Sequence, residues 1–373
     1  MARYIGLMSG TSLDGIDAVL AECDKVASGP VRVLGHTHAP YIDSVRAELL
    51  ALNAPGADEL HRAALAANAV ARAYASVVTD LLLSTSTAAH DVRAIGAHGQ
   101  TVRHQPGAVD GTGYTIQLLN GSLLAEHTRI DVVCDLRSRD VAAGGQGAPL
   151  APAFHAAMFA RPGHARAVLN LGGIANLTLL AADGSVIGFD CGPANALLDG
   201  WCQRHHNLAY DEAGRWAASG SVVADLLDAL LSDAYFKLDP PKSTGRDLFN
   251  LSWLDTAVGA HARHARAEDI QATLAALTVA CVVRDLRRHA ADARALYVCG
   301  GGARNAHVMA LLAQALPGVD VQTTGVLGLP VDQVEAAAFA WLACCFVEGR
   351  AGNVPAVTGA LGPRRLGALH PAR

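Results

Sequence analysis

Aromatic side chains supply only 5% of this chain of 373 residues and charged ones only 17%, against 51% hydrophobic residues. So little charge with so much apolar material excludes a disordered chain and describes a globular one. At roughly 150 residues per domain the length suits about two and a half domains, so a single small module is not expected. The eight cysteines (Cys23, Cys134, Cys191, Cys202, Cys281, Cys299, Cys344 and Cys345) never form a CxxC pair, which removes the zinc-ribbon and thioredoxin readings. Several stand inside apolar runs such as LYVC and WLACCF, where they read as small core residues and free thiols of a reducing compartment. No basic tract occurs, and Lys+Arg at 29 against Asp+Glu at 34 leaves a formal net charge of −5. That balance argues against nucleic acid or an anionic membrane as the partner. The longest apolar runs, near 273–283 and 336–347, fall short of the ~20 residues a membrane span needs. The start, MARYIGLMSGTSLDG, meets polar residues before a signal-peptide core can form, so a soluble cytoplasmic protein is expected. The 16 histidines include no HExxH and no i, i+4 pair backed by carboxylates, so no zinc site is expected.

Glycine, in contrast, is abundant: 37 residues, about a tenth of the chain. Its placement reveals an organisation. Residues 3–8 and 16–22 are apolar runs joined by a Gly/Ser/Thr/Asp turn, and a third strand follows at 31–41. Residues 44–86 carry helical spacing, and strand-like pieces return at 91–99, 114–120 and 130–136. The polar, Gly-rich stretch 137–150 marks a candidate crossing between domains. The opening pattern then recurs: strand 166–171, a GGIAN turn, a second strand, an Asp-Gly hairpin signal at 183–184 and a third strand. This reads as a duplicated β-β-β-α unit. A helix at 270–289, a strand at 295–299 running into GGGARN, and a long apolar helix VEAAAFAWLACCFV complete the chain.

Five groups of residues carry possible chemistry. The first is GTSLDGID: Gly10, Thr11, Ser12, Leu13, Asp14, Gly15, Ile16 and Asp17. Backbone N–H groups of such a turn, with its two hydroxyls, suit phosphate oxygens, although ordinary hairpins also favour Gly, Ser and Asp. The second is LNLGGIAN, which places Gly172 and Gly173 at the matching turn of the second half. The third is VCGGGARN, with Gly300, Gly301 and Gly302 ahead of Asn305, at a strand-to-helix junction. It meets neither GxGxxG nor the Walker A pattern. The fourth is GFDCGPAN, whose Asp190 sits at a strand end, as a catalytic carboxylate or a turn and cap residue would. The fifth joins AHGQTVRH to RSRDVAAGGQGAPL. Its His98, Gln100, Arg103, Arg137 and Arg139 suit an anionic, oxygen-rich ligand such as a sugar acid, or else are solvated loop residues. KSTGRDLFN at 242–250 carries the same ambiguity.

Three Gly-rich turns in this order resemble the sugar-kinase, actin and heat-shock ATPase superfamily. More closely, MSGTSLDGID, AHGQTVRH, DVAAGGQGAPL, LNLGGIAN, GFDCGPAN, KSTGR, CGGGARN and TGALGPRRLGALHP resemble the anhydro-N-acetylmuramic acid kinases of bacterial cell-wall recycling, across residues 4–371. The resemblance implies an α/β fold of two ribonuclease-H-like, actin/sugar-kinase-type domains flanking a nucleotide cleft. The expected division is 1–136, 137–347 and a tail at 348–373 that returns to the first domain. The implied reaction phosphorylates O6 of 1,6-anhydro-N-acetylmuramic acid with ATP, carried with Mg²⁺, while water opens the anhydro ring. By the same resemblance residues 10–17 and Gly172–Gly173 bind phosphates, and Gly300–Gly302 with Asn305 face the adenosine. Asp190 is the catalytic carboxylate, Glu335 lies near the sugar, and His98, Gln100 and Arg137 contact it. A homodimer is expected.

Three positions depart from the pattern. Met8 stands where most of the superfamily has the Asp that serves magnesium through water, leaving Asp14 or Asp17 to substitute. Leu119 replaces a usual Gly, and 323–330 lacks an acidic residue that the family often has. Two other readings stand beside the family's reaction: a kinase for a sugar with a free hydroxyl, and a nucleotide-dependent switch without a sugar.

Overall fold

The computed structural model describes residues 1–10, 13, 15–24 and 31–373, so Thr11, Ser12 and Asp14 of the first turn lie outside the described residues. The strands are β1 (Ala2–Met8), β2 (Ile16–Cys23), β3 (Arg32–Ala39), β4 (Val92–Ala97), β5 (Gln100–Pro106), β6 (Gly113–Leu118) and β7 (Val132–Cys134). They continue as β8 (Arg166–Leu171), β9 (Ile174–Leu180), β10 (Val186–Pro193), β11 (Ala295–Cys299), β12 (Asp320–Thr323) and β13 (Ala368–His370). The contacts divide the chain into two compact units, Met1–Met158 with Gln333–Arg373, and Phe159–Asp332. The sequence predicts divisions after 136 and after 347. The Gly-rich stretch 137–150 instead folds within the first unit around a short helix, Ser138–Ala142.

The first unit holds a six-stranded sheet in the order β13-β7-β4-β1-β2-β3. β1, β2 and β3 form an antiparallel meander, β4 runs parallel to β1, and β7 runs parallel to β4. The second unit holds a five-stranded sheet in the order β10-β9-β8-β11-β12. Its β8, β9 and β10 form an antiparallel meander, β11 is parallel to β8 and β12 to β11. Leaving out β13, the two orders are the same, so the duplication read from the turns is a duplication of topology. Parallel neighbours in such sheets require helical crossovers, and these supply the covering layers.

In the first unit the helix Glu59–Ser84 buries Ala66, Val70, Tyr74, Val77, Val78 and Leu81, a stripe at helical spacing. It closes a core with Ile5, Leu7, Ile16, Ala18 and Leu20 of the sheet. The helix Val334–Val347 packs against β1, β2 and β4. It is apolar on every side because it is covered on every side: Ala336 through Cys345 are all buried, and Trp341 meets the ring of Phe154 at 6.1 Å. Bare strand backbone permits that approach. A Cβ on Gly6 would lie 1.8 Å from the carbonyl oxygen of Ala336, and one on Gly96 would lie 2.0 Å from that of Phe339. In the second unit the helix Ala267–His289 crosses β9 and β10 and buries Ile270, Leu274, Leu277, Val282 and Leu286.

Residues 100–106, which the sequence does not mark as a strand, form β5 and pair with β6 in a separate two-stranded sheet. Only Gln100 and Val102 of β5 are buried, so its composition lacks the apolar alternation that signals a strand. No described helix is long and apolar enough to cross a membrane.

The contact of helix and strand gives a stability test. Gly6→Ala is expected to destabilise the first unit by about 3 kcal/mol or more, because the clash is with backbone that cannot rotate away. Thermal unfolding measures it, and an unchanged melting temperature would refute the close approach.

Candidate functional site

β1 and β4 run parallel, so the residues that follow them, Ser9–Gly10 and His98–Gly99, leave the same sheet edge. They are tied together. His98 Nδ1 donates to the Ser9 carbonyl at 3.1 Å, and Gln100 Nε2 donates to the Gly10 carbonyl at 3.1 Å. Ser9 Oγ lies 2.8 Å from the Tyr74 hydroxyl and donates to the Gly99 carbonyl at 3.3 Å. The Leu13 amide returns to the Gly10 carbonyl at 3.2 Å, with Leu13 buried and in the left-handed region at φ 56°. That strain in a branched residue is a feature of a turn built for more than reversal. Gly15 is required by close approach, since a Cβ there would lie 2.5 Å from the His38 ring. Asp17, directly across from Met8, accepts from His36 Nε2 at 3.0 Å and His38 Nδ1 at 3.1 Å, both on Oδ1.

Arg137 faces the same group. A carbonyl only accepts, so the His98 proton sits on Nδ1 and Nε2 is left as a lone pair. Arg137 fills it, with Nε at 3.2 Å and Nη2 at 3.0 Å, and donates Nη1 to the Gly147 carbonyl at 2.8 Å. Burial, reinforced by the Arg137 charge, pushes His98 down to about 3. Burial also lowers Arg137 to about 10, while Glu335 and Asp140 act in the opposite direction. Arg137 thus remains a cation at neutral pH. The His98 ring packs 4.9 Å from Phe339, on the helix whose first turn carries Glu335. His98, Gln100, Arg137 and Glu335 therefore belong to one group. Arg103 does not, because its guanidinium is engaged by Glu59 at 2.7 Å.

Asp140 was missed in the sequence. It is fully buried and organises the Gly-rich loop: Oδ2 accepts from the Gly147 amide at 2.8 Å, and Oδ1 from Asn353 Nδ2 at 2.7 Å and Thr358 Oγ1 at 2.8 Å. Its one local signal is a carboxylate four residues ahead of the GGQG string at 144–147.

In the second unit the β8–β9 turn holds Gly172 and Gly173. The Gly172 carbonyl accepts from the Asn195 amide at 3.1 Å, and the Gly173 carbonyl from the amides of Ala194 at 3.0 Å and Ala196 at 3.1 Å. Among the described residues, a Cβ on Gly172 would meet nothing nearer than 3.7 Å, and one on Gly173 nothing nearer than 3.5 Å. Packing against the described residues does not require glycine at either place. Of the next three, Gly300 has φ +78° and Gly302 would set a Cβ 2.6 Å from Leu171, so both serve the fold. Gly301 is open, with nothing nearer than 3.9 Å. Asn305 caps the helix Ala306–Ala315, accepting from the Val308 amide at 3.1 Å.

Asp190 lies on β10 at a break in register, opposite Asn176. Its Oδ1 accepts from Asn176 Nδ2 at 2.8 Å and its Oδ2 from the Thr244 amide at 2.9 Å. Burial raises its affinity for a proton; the bonds from Asn176 and Thr244 and the charge of Lys242 act against that shift. Each oxygen is oriented by one donor, and the group is a stronger base than an exposed carboxylate. Asn176 lies in LNLGGIAN and Thr244 in KSTGRDLFN, and no local pattern marks either as a partner of Asp190.

A family model described as anhydro-N-acetylmuramic acid kinase matches residues 2–372. The anhydro-N-acetylmuramic acid kinase of Cupriavidus pinatubonensis is 57% identical over 371 residues, covering 99% of this chain and 98% of the relative. That of Variovorax paradoxus is 56% identical over 374 residues, covering 99% of each. Among solved structures, component A of the Acidaminococcus fermentans (R)-2-hydroxyglutaryl-CoA dehydratase has a TM-score of 0.50 at 11% identity, covering 94% of this chain and all of that one, a likeness of fold alone.

The neutral histidine makes the first unit sensitive to acid. His98 and His155 are both lowered by burial from 6.5 to about 3. With a depressed folded value, each contributes its full stability above pH 6.5 and loses it as the pH falls toward 3, at up to about 1.4 kcal/mol per histidine per pH unit. Melting temperature should therefore fall between pH 7 and pH 5, and fall less steeply in His98→Gln. A melting temperature constant over that range would contradict the neutral assignment.

Proposed function

The chain belongs to the anhydro-N-acetylmuramic acid kinase family, and from that premise we propose how its residues divide the work. The reaction transfers the γ-phosphoryl group of ATP to O6 of 1,6-anhydro-N-acetylmuramic acid and opens the anhydro ring with water. It yields N-acetylmuramic acid 6-phosphate and ADP, in murein recycling. O6 is an ether oxygen until the bridge breaks, so the two bond changes are coupled. Water attacks C1, the C1–O6 bond breaks, and O6 takes the phosphoryl group as the bond to ADP is cut. The water must lose a proton.

Asp190 is the general base in this reading, and the observation that carries it is its environment: a buried carboxylate aligned on both oxygens and displaced toward greater basicity. Arg137, held flat by His98 and Gly147, presents a fixed cation to the acidic sugar. Glu335 and Gln100 contact the sugar from the same group. The ATP phosphates lie against Gly10–Asp17 and against Gly172 and Gly173, and the adenosine against Gly301, with Gly300 and Gly302 shaping that turn and Asn305 capping the helix behind it. Magnesium, when bound, neutralises phosphate charge. Asp17, across from Met8 on the neighbouring strand, is the described carboxylate of residues 10–17 that would hold it. The enzyme works as a cytoplasmic homodimer on small molecules, with neither nucleic acid nor membrane as partner; its eight cysteines, none of them in a disulfide, agree with a reducing compartment.

Asp190→Asn tests the central assignment. Loss of a general base lowers turnover by about 10²–10⁴-fold, and ADP formation and ring-opened product should fall together while nucleotide affinity is unchanged. Steady-state ADP release beside mass spectrometry of the sugar reads both. Near-normal turnover would transfer the role elsewhere, and continued ADP release without sugar product would assign Asp190 to the sugar.

A further inference from the structure

An ion pair is buried directly behind Asp190. Lys242 Nζ donates to Asp285 Oδ2 at 3.0 Å, with side-chain exposures of 2% and 1%. Arg284 Nε donates to the other oxygen, Oδ1, at 3.0 Å. The ammonium lies 5.4 Å from the ring centroid of Phe189 and 5.3 Å from that of Tyr235. Taking such a pair out of water costs about as much as its attraction returns, so stability is a weak reason for its presence. Its neighbours suggest another. The Lys242 carbonyl accepts from the Asp190 amide at 3.2 Å, and two residues on, the Thr244 amide donates to Asp190 Oδ2. Tyr235, whose ring flanks the ammonium, donates its hydroxyl to the Asp190 carbonyl at 2.7 Å. Three of the bonds that hold Asp190 thus come from Lys242 itself, from Thr244 two residues on, and from Tyr235, whose ring flanks the ammonium.

We propose that the Lys242–Asp285 pair is a positioning device for the general base: it anchors residues 242–244 so that the Thr244 amide meets the Asp190 carboxylate, and it sets a cation behind that carboxylate. The proposal rests on Asp190 being the base. Among the described residues, the ionisable groups around Asp190 and the ion pair are Lys242, Asp285, Arg284, His289, Tyr235, Cys191 and Cys281, and burial lowers His289. Burial pushes Tyr235 and Cys191 upward and Cys281 to about 12, so these three are neutral in the working range. Lys242 is therefore the neighbour whose charge favours ionised Asp190. Its removal leaves Asp190 holding its proton to higher pH.

Lys242→Met leaves Asp285 its bond to Arg284, and Lys242→Met/Asp285→Asn removes both charges should the single variant fail to fold. Both are expected to lower kcat about 10- to 100-fold at neutral pH with KM for ATP unchanged, and Lys242→Met should move the acid limb of the kcat profile upward. A folded variant with wild-type kcat and an unmoved limb would overturn the proposal. In the wild-type protein the Thr244 amide proton, followed by NMR, should titrate along the same limb and stay flat in Asp190→Asn; a flat signal in the wild type would equally overturn it. Full activity in Asp190→Asn would instead sink the base assignment itself, whatever the Lys242 variants do.

Discussion

A charge taken out of water persists only where the protein replaces the lost hydration, and both units are organised around that constraint. In the first unit the charge is Arg137, given a neutral imidazole and the Gly147 carbonyl, with Glu335 and Asp140 near it. In the second it is Asp190, given an amide side chain and a backbone N–H. The two solutions are complementary. A guanidinium is kept charged by acceptors, and a carboxylate is aligned by donors yet left basic by burial. Each group is held on elements of the sheet or on loops pinned to it, so its geometry is set before any substrate arrives.

The glycines separate into two kinds by the same physical test. Gly6, Gly15, Gly96, Gly300 and Gly302 stand where a methyl group would strike backbone or a packed ring, so the fold demands them. Gly172, Gly173 and Gly301 stand in open space and none has a left-handed backbone. For the second kind neither packing against the described residues nor backbone conformation demands glycine. The distinction is invisible in sequence, where all eight are glycines in Gly-rich strings.

What was legible in the sequence was local. The paired turns, the repeated strand pattern and the apolar helix at 334–347 each rest on residues a few positions apart, and periodicity or composition reports them. The strings around His98, Arg137 and Asp190 were legible by resemblance. What escaped depends on partners far apart along the chain. Asp140 meets Asn353 and Thr358 from more than two hundred residues away, and Lys242 meets Asp285 across forty-three. β5 escaped for another reason: a strand outside the main sheets buries little, so it need not alternate. The unit boundary escaped because nothing in the composition of Val334–Val347 says which sheet it covers; only the fit of its backbone onto Gly6 and Gly96 does.

That helix belongs to the first unit but follows the second in the chain, so the second unit is an insertion within the first. A ribosome releases the chain from its N-terminus, and the order of release then matters. Residues 1–158 emerge with one face of their sheet bare, because the helix that lies on Gly6 and Gly96 is still unmade. The whole of Phe159–Asp332 is contiguous and has its complete core available first. The nascent first unit must carry an uncovered apolar sheet face through the synthesis of the entire second unit, which is the interval in which such a surface invites aggregation or a chaperone.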